Sequence, residues 1–209
     1  MTILTDLAAE PDLKPVYHRM GFKPGKAAIP EGVKPLVDKA IRLGRQLVEP
    51  RGCYDYRKIQ HREPHVIEVD GAFEIESEKV FARMAGCRGL YLVAVTLGSK
   101  LDRKVSQLSS SGEVTLAFLL NAYGAEAAEA LMKRLDQVIS ERAKEQRMET
   151  TRRYSPGYGD WPLTAQRDLL KALQADRIGI QLTEHCLMIP EKSVSAIIGI
   201  RPQGQRNKT

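Results

Sequence analysis

The stretch GLYLVAVTLG, residues 89–98, decides the fold class of this 209-residue chain. Leucine, valine and alanine follow one another here without the polar alternation of a half-exposed strand. A short, continuous apolar run with β-branched residues, bounded by glycines, is typical of a strand whose two faces are both covered. We therefore predict that residues 89–98 form a buried central strand.

The residues before this strand predict one helix and two further strands. Apolar residues keep a helical period over about 30–49, and a proline and a glycine follow directly. Residues 53–59 (CYDYRKI) alternate rings with polar groups, as a half-buried strand does, and 65–69 (HVIEV) predicts another strand. A turn at 70–75 and a short helix beginning near Ser77 then lead into the central strand.

The residues after the central strand predict three helices and a group of strands. Helices are expected over about 101–108, 113–147 and 164–174, and 178–200 should form two or three strands. The buried stripe of the long helix is expected to contain Val114, Phe118, Asn121, Ala125, Ala128, Leu131, Leu135 and Val138.

This order of elements predicts a single α+β domain, with a mostly antiparallel sheet and long helices packed on it. Within it, residues 1–30 are interpreted as an N-terminal extension and 201–209 as a flexible basic tail.

Composition places the chain among cytoplasmic proteins that do not enter a membrane. Hydrophobic residues make up 43% and charged residues 28%, which is ordinary for a globular protein. The longest apolar stretch, 90–97, is too short to span a bilayer, and the first residues are acidic where a signal peptide is basic. The three cysteines form no C-x-x-C pair, which favours reduced thiols.

The net charge of +6 leaves three interpretations open. The first is a basic but otherwise ordinary surface, and the second is docking to an acidic protein, where charge raises the encounter rate. The third is nucleic-acid binding, which needs basic residues concentrated on one face among aromatic rings. Since the clearest basic run is the segment 201–209, we predict that the chain does not bind nucleic acid.

Several short motifs do not support a site. His61 and His65 have the spacing of a helical metal pair, but Pro64 lies between them, so we interpret them as surface histidines and predict no metal site. The glycines of 157–159 lack the third glycine and the strand-to-helix turn of a dinucleotide fingerprint. The serines of 193–195 are flanked by strand residues and are interpreted as structural.

The segment RRYSPGYGDWP, residues 152–162, has the composition of a binding loop. Arg153 provides a planar fork that suits a carboxylate or a phosphate. Pro156 and Gly157 favour a tight turn in which the backbone can approach a ligand closely. The rings of this segment can stack on a planar group or supply a hydroxyl: Tyr154, Tyr158 and Trp161. A zwitterionic ligand with a flat ring would use all three features, and a well-packed surface turn is the alternative.

A resemblance to a known family favours the binding loop. Arg153-x-x-x-Gly157-Tyr158-x-x-x-Pro162 resembles the R-x-x-x-G-Y-x-x-x-P signature of the activation domain of cobalamin-dependent methionine synthase. The block at 178–200, with its L-T-E, M-x-P and S-V-S in order, is similar to the strands that follow that signature. The helix segment AEAAEALMKRL also resembles the family's helix before it, so the likeness covers roughly residues 90–200.

The resemblance implies a function and a set of site residues. The family's domain presents S-adenosylmethionine to a corrin while a flavodoxin- or ferredoxin-like protein supplies an electron. It implies that Arg153 binds the ligand's carboxylate, that the backbone around Ser155 meets the adenine, and that Tyr158 lies near the corrin as the catalytic residue. The full expected binding set is Arg153, Ser155, Pro156, Gly157, Tyr158 and Pro162.

The sequence differs in three ways from the multidomain methionine synthase that contains the family's domain, and these differences affect the function that we expect. The chain has no D-x-H-x-x-G corrinoid signature, so cobalamin should be supplied by a partner protein. The residues after 193–195 are few, so the family's later tyrosine contacts should be absent or replaced. Our candidates for the acidic residue that binds the ligand's amino group are Glu49 and Asp55. We thus expect a reactivation subunit that acts in trans, with a docking module that has lost S-adenosylmethionine binding as the alternative.

Overall fold

Strand β5 (Gly89–Thr96) lies in the middle of an antiparallel sheet in the computed structural model, which describes residues 1–22 and 29–204. The strands of this sheet are β1 (Thr2–Leu4), β2 (Arg51–Arg62), β3 (Val66–Val69), β4 (Phe73–Glu76), β5, β6 (Met148–Thr150) and β9 (Ser193–Pro202). They follow the order β4-β3-β2-β5-β9-β6, and β1 pairs with the first part of β2. A separate pair consists of β7 (Gln181–Leu182) and β8 (Met188–Ile189).

The helices cover both faces of this sheet. One face carries α1 (Leu13–Arg19), α2 (Lys34–Leu47), α4 (Lys100–Ser110) and α5 (Val114–Glu145). The other face carries α3 (Glu78–Arg83) and α6 (Gln166–Ala172). Because side chains alternate along a strand, the residues of β5 contribute to two separate cores. Tyr91, Val93 and Val95 face the first group of helices, and Leu90, Leu92 and Ala94 face the second.

The predicted fold class is confirmed. All eight residues of β5 are buried, as the apolar run predicts, and neighbouring strands of the described sheet pair in the antiparallel direction. The region 178–200 contains three strands, within the expected number. The sequence did not predict β1, β4, β6 or α1, because elements of three to seven residues are too short to show a period. Residues 23–28 and 205–209, which belong to the expected N-terminal extension and basic tail, lie outside the described residues.

The predicted buried stripe is wrong for the first turns of α5. Val114 is 63% exposed and Phe118 is 53% exposed, and Asn121 also faces solvent. The buried side chains there are Leu116, Leu119, Leu120 and Tyr123. At this end of the helix its own side chains are apolar on nearly all sides, so a helical period alone does not select the buried face. Further along, the prediction holds for Ala128, Leu131 and Leu135, which are buried.

Among the residues described, no helix combines the length and apolar character needed to cross a membrane. Cys53, Cys87 and Cys186 are all buried and unpaired, which agrees with the interpretation as reduced thiols. His61 and His65 are exposed and both lie edge-on to the ring of Phe81. The described part of the chain contains no cluster of His, Cys, Asp and Glu that could hold a metal ion.

Candidate functional site

The loop at 153–162 follows β6 and is held by two other elements. Tyr154 N donates to the carbonyl of Ile197 on β9 (2.9 Å), and Ile197 N donates to the carbonyl of Tyr154 (2.8 Å). At the far end, Asp160 accepts hydrogen bonds from Ser77 Oγ (2.6 Å) and from the backbone N–H of Lys79 (3.2 Å) at the start of α3. The bond from Ser77 is the main reason why the pKa of Asp160 lies below its usual value. The loop therefore has a fixed position on the sheet.

Between these anchors the backbone makes the tight turn that Pro156 and Gly157 predict. Gly157 has φ +90° and Gly159 has φ +61°, a region that favours glycine. Gly157 N donates to the carbonyl of Trp161 (2.9 Å), and Tyr154 Oη donates to the carbonyl of Tyr158 (3.1 Å). A Cβ atom at position 159 would lie 2.4 Å from Tyr154 Oη, so the turn has no room for a side chain there.

The aromatic residues of the loop divide into a core pair and one exposed ring. Trp161 is 2% exposed and stacks on Tyr154, with ring centroids 6.3 Å apart. The guanidinium of Arg83 lies 5.0 Å from the Tyr154 ring centroid. The expectation that Trp161 could stack on a ligand is therefore wrong, because its ring belongs to the core beneath the loop. Tyr158, in contrast, is 68% exposed.

The loop forms one wall of a cavity of about 360 Å³. This volume lies in the range of small-molecule sites, roughly 300–1,000 Å³. Four of the six predicted binding residues line it: Arg153, Ser155, Pro156 and Tyr158. The other two are not in its lining, since Gly157 forms the turn and Pro162 precedes the short 3-10 helix Leu163–Ala165.

The rest of the cavity wall, apart from Tyr154, consists of residues that the sequence analysis did not assign to the site: Glu129, Gln166, Met188, Ser193, Val194 and Ser195. The serine hydroxyls are already hydrogen bonded within the protein, which agrees with a structural role. Ser195 Oγ donates to Gln166 Oε1 (3.1 Å), and Ser193 Oγ lies 2.7 Å from the carbonyl of Pro190. The period-two pattern of β9 places both serines on one face and could have indicated this wall.

Arg153 is the main charged group of the cavity, and its guanidinium is paired with two carboxylates of α5. Its Nη2 lies 2.5 Å from Glu129 Oε2, and its Nη1 lies 3.3 Å from Asp136 Oδ2. Burial raises the pKa of Asp136 to about 6, an effect that Arg153 opposes and Glu129 increases. Glu129 borders the cavity, whereas Asp136 contacts Arg153 from outside it. No sequence signal links a residue of the long helix to Arg153, because the pairing depends on tertiary structure.

Neither candidate for the amino-group contact reaches this cavity. Glu49 pairs with Lys100 (2.8 Å). Asp55 pairs with the N-terminal amino group (2.8 Å) and with Arg57 (2.7 Å). Since both carboxylates are neutralised by cations of the chain itself and neither lines the cavity, we do not retain them as ligand-binding residues.

Comparison with known proteins identifies the family of the chain and a solved structure with the same fold. A family model described as the vitamin B12 dependent methionine synthase activation domain matches residues 85–207, which include the whole loop and β9. The chain belongs to this family. A solved structure, the crystal structure of the MetH reactivation domain bound to AdoHcy, matches with a TM-score of 0.70 and 16% identity, over 99% of this chain and 81% of that chain. A search of curated protein sequences finds no significant match.

Membership of the methionine synthase activation family confirms the resemblance read from the sequence. The solved reactivation domain independently shows the same fold, although so low an identity carries no residue roles with it. The roles of Arg153, Ser155, Pro156, Gly157, Tyr158 and Pro162 therefore stay predictions, which the cavity geometry helps to make specific.

Proposed function

We propose that this activation-family chain is a reactivation subunit that binds S-adenosylmethionine in the cavity beside Arg153 and acts in trans on a cobalamin-carrying partner. The observation that carries the proposal is that the signature loop forms one wall of a ligand-sized cavity. In support, the structurally similar MetH reactivation domain is described as bound to AdoHcy.

Residues of the cavity match the carboxylate and the adenine of the ligand. Arg153 offers a guanidinium fork for the carboxylate, since planar bidentate pairing is the geometry that arginine favours. The backbone at Ser155 and Pro156 lies along the wall where the adenine is expected. Tyr158 lines the cavity yet is largely exposed, so an incoming corrin can reach it.

The reaction needs the sulfonium methyl group to face the corrin at this opening. One electron from a flavodoxin- or ferredoxin-like donor reduces cob(II)alamin, and the methyl group then transfers to cobalt, leaving S-adenosylhomocysteine. Holding the two reactants in line is the main contribution that the protein can make. Because the 209 residues contain no D-x-H-x-x-G signature, we assign the corrinoid to a partner protein.

Calorimetry with S-adenosylmethionine tests the proposal directly. Arg153→Lys keeps the charge but loses the planar fork, so we expect the affinity to fall roughly tenfold to a hundredfold. The matched control is Arg152→Lys, an exposed neighbour outside the cavity lining, which should bind as the wild type does. Equal affinity of the Arg153→Lys variant and the wild type would remove Arg153 from the site.

A reactivation assay with cob(II)alamin tests the role of Tyr158. Its hydroxyl has no protein partner among the hydrogen bonds of the described residues, so Tyr158→Phe should leave stability unchanged. If the hydroxyl contacts the corrin or the ligand, the rate of methylcobalamin formation changes. An unchanged rate would show that the hydroxyl of Tyr158 has no part in the reaction.

A docking module that no longer binds S-adenosylmethionine is the second candidate. The observation that favours it is that both arms of the Arg153 fork are already occupied by Glu129 and Asp136. In that case the wild type would show no binding heat with S-adenosylmethionine, although it would still associate with the corrinoid protein.

A further inference from the structure

We infer that Ser195 and Gln166 make the cavity selective for adenine over its 6-oxo counterpart, hypoxanthine. This inference rests on the proposed function, since it concerns the base of the same ligand. It is based on the directions of the two hydrogen bonds that connect Ser195, Gln166 and the carbonyl of Cys186.

The cavity has a charged side and an uncharged side. Arg153 and Glu129 pair with each other on the side of α5. Gln166 at the start of α6 and Ser195 on β9 line the cavity on the side of α6, and neither carries a charge. A ligand whose carboxylate binds Arg153 therefore directs its other end, the adenine, to the side of α6.

The pairing of the signature loop with β9 also places Ser195 near the expected adenine. Tyr154 and Ile197 form an antiparallel bridge. In an antiparallel pair, the residues after one position approach the residues before its partner, so Ser155 runs towards Ser195. The backbone wall that we assign to the adenine and the hydroxyl of Ser195 therefore border the same part of the cavity.

The direction of the hydrogen bond at Ser195 follows from an obligate acceptor. The carbonyl of Cys186 can only accept, so the amide atom of Gln166 that lies 2.7 Å from it is the donor Nε2. The other amide atom, Oε1, then lies 3.1 Å from Ser195 Oγ and takes the only proton of this hydroxyl. Ser195 and Gln166 are both buried, which holds this arrangement in place. Ser195 Oγ therefore offers a ligand lone pairs and no donor.

Gln166 supplies a donor beside this acceptor. Its Nε2 carries two hydrogens, and the described residues provide a partner for one of them, the carbonyl of Cys186. An acceptor next to a donor matches adenine, whose 6-amino group donates beside the acceptors N1 and N7. Hypoxanthine has a 6-oxo acceptor in place of that donor, so its oxygen would face the lone pairs of Ser195.

This mismatch predicts discrimination between the two bases. Two acceptors that face each other in a closed site each lose a hydrogen bond that water would provide. A site that hydrogen-bonds one group of a substrate rejects an analogue without that group, because polar groups of the site are left unpaired. We expect the 6-oxo analogue to bind roughly tenfold to a hundredfold more weakly.

Calorimetry with S-adenosylhomocysteine and S-inosylhomocysteine tests this selectivity. The two probes differ in the 6-amino and 6-oxo groups of the base and share the same amino acid end. The wild type should prefer the first probe by roughly tenfold to a hundredfold. Ser195→Ala removes the lone pairs and should reduce this preference about tenfold. Gln166→Met frees the proton of Ser195 for the 6-oxo group, so S-inosylhomocysteine should bind this variant more tightly than the wild type.

Ser193→Ala is the matched control, because Ser193 also lines the cavity from β9 but bonds to Pro190 and Thr96 rather than to Gln166. It should keep the preference of the wild type. Equal binding of the two probes to the wild type overturns the inference alone, and so does an unchanged preference in Ser195→Ala. If neither probe binds the wild type, the proposed function is overturned as well.

Discussion

Gly159 shows at the scale of a single residue how the loop depends on its glycines. Its φ of +61° strains any other residue, and a Cβ there would also meet Tyr154 Oη at 2.4 Å. Gly71 is a matched control, since it has φ +64° but no neighbouring atom within 4 Å. We expect Gly71→Ala to lower the free energy of unfolding by about 1 kcal/mol. Gly159→Ala should cost about 1 kcal/mol or more beyond that.

Urea denaturation of the two variants and the wild type measures this difference. Similar losses for both variants would show that the loop can shift to accept a methyl group at position 159, and that Tyr154 does not hold it rigidly.

Asp136 gives a pH dependence at the same scale. An aspartate in the unfolded chain has a pKa of about 3.9, whereas burial raises the pKa of Asp136 in the folded protein to about 6. Between these values the folded protein keeps a proton that the unfolded chain has lost, so this group makes wild-type stability fall as pH rises. The stability of Asp136→Asn relative to wild type should therefore increase from pH about 4 to about 6 and stay level above.

Denaturation of both proteins across this pH range provides the measurement. Asp168→Asn removes an exposed carboxylate of α6 and should change stability by less than about 0.5 kcal/mol throughout. A constant difference between Asp136→Asn and the wild type would contradict a raised pKa.

At the scale of an element, α5 has two apolar faces at its first turns and buries one of them. Leu119 is 2% exposed, whereas its neighbour Phe118 is 53% exposed. Leu119→Ala should therefore destabilise the protein by about 2–5 kcal/mol. Phe118→Ala should lower the free energy of unfolding by less than about 1 kcal/mol, because the exposed ring makes few packing contacts that the substitution can remove.

Thermal or urea unfolding of the two alanine variants distinguishes the faces. A large loss for Phe118→Ala together with a small loss for Leu119→Ala would mean that α5 is rotated from the orientation described above.

At the scale of the whole molecule, the net charge of +6 should assist association with the corrinoid partner that we propose, provided that the partner's surface is acidic. Salt screens this attraction, because the Debye length falls from about 30 Å at 0.01 M to about 10 Å at 0.1 M. The association rate constant should therefore fall about tenfold over this range, while the dissociation rate constant changes little. Stopped-flow mixing at several salt concentrations measures both, and an association rate that ignores salt would contradict the charge argument.

Some of the fold and site follows from local sequence alone. The run at 89–98 predicts a central strand because the unbroken apolar side chains of 90–95 can be covered only between two layers. The signature in 153–162 predicts a tight turn with an arginine before it, because glycine and proline restrict the backbone locally. These features depend on neighbours a few residues away, which a single sequence displays.

Only the tertiary structure decided which residues of distant elements meet. Glu129 reaches Arg153 because α5 packs across the sheet beside β6 and the loop, a contact between residues 24 positions apart. The same packing buried Leu119 instead of Phe118 and placed Trp161 in the core rather than in the cavity. The periodicity of a sequence shows at which angle around a helix or strand each apolar or charged residue lies. Which angle faces a neighbour is set by the volume and shape of the other side chains in the core, and those become neighbours only when the chain folds.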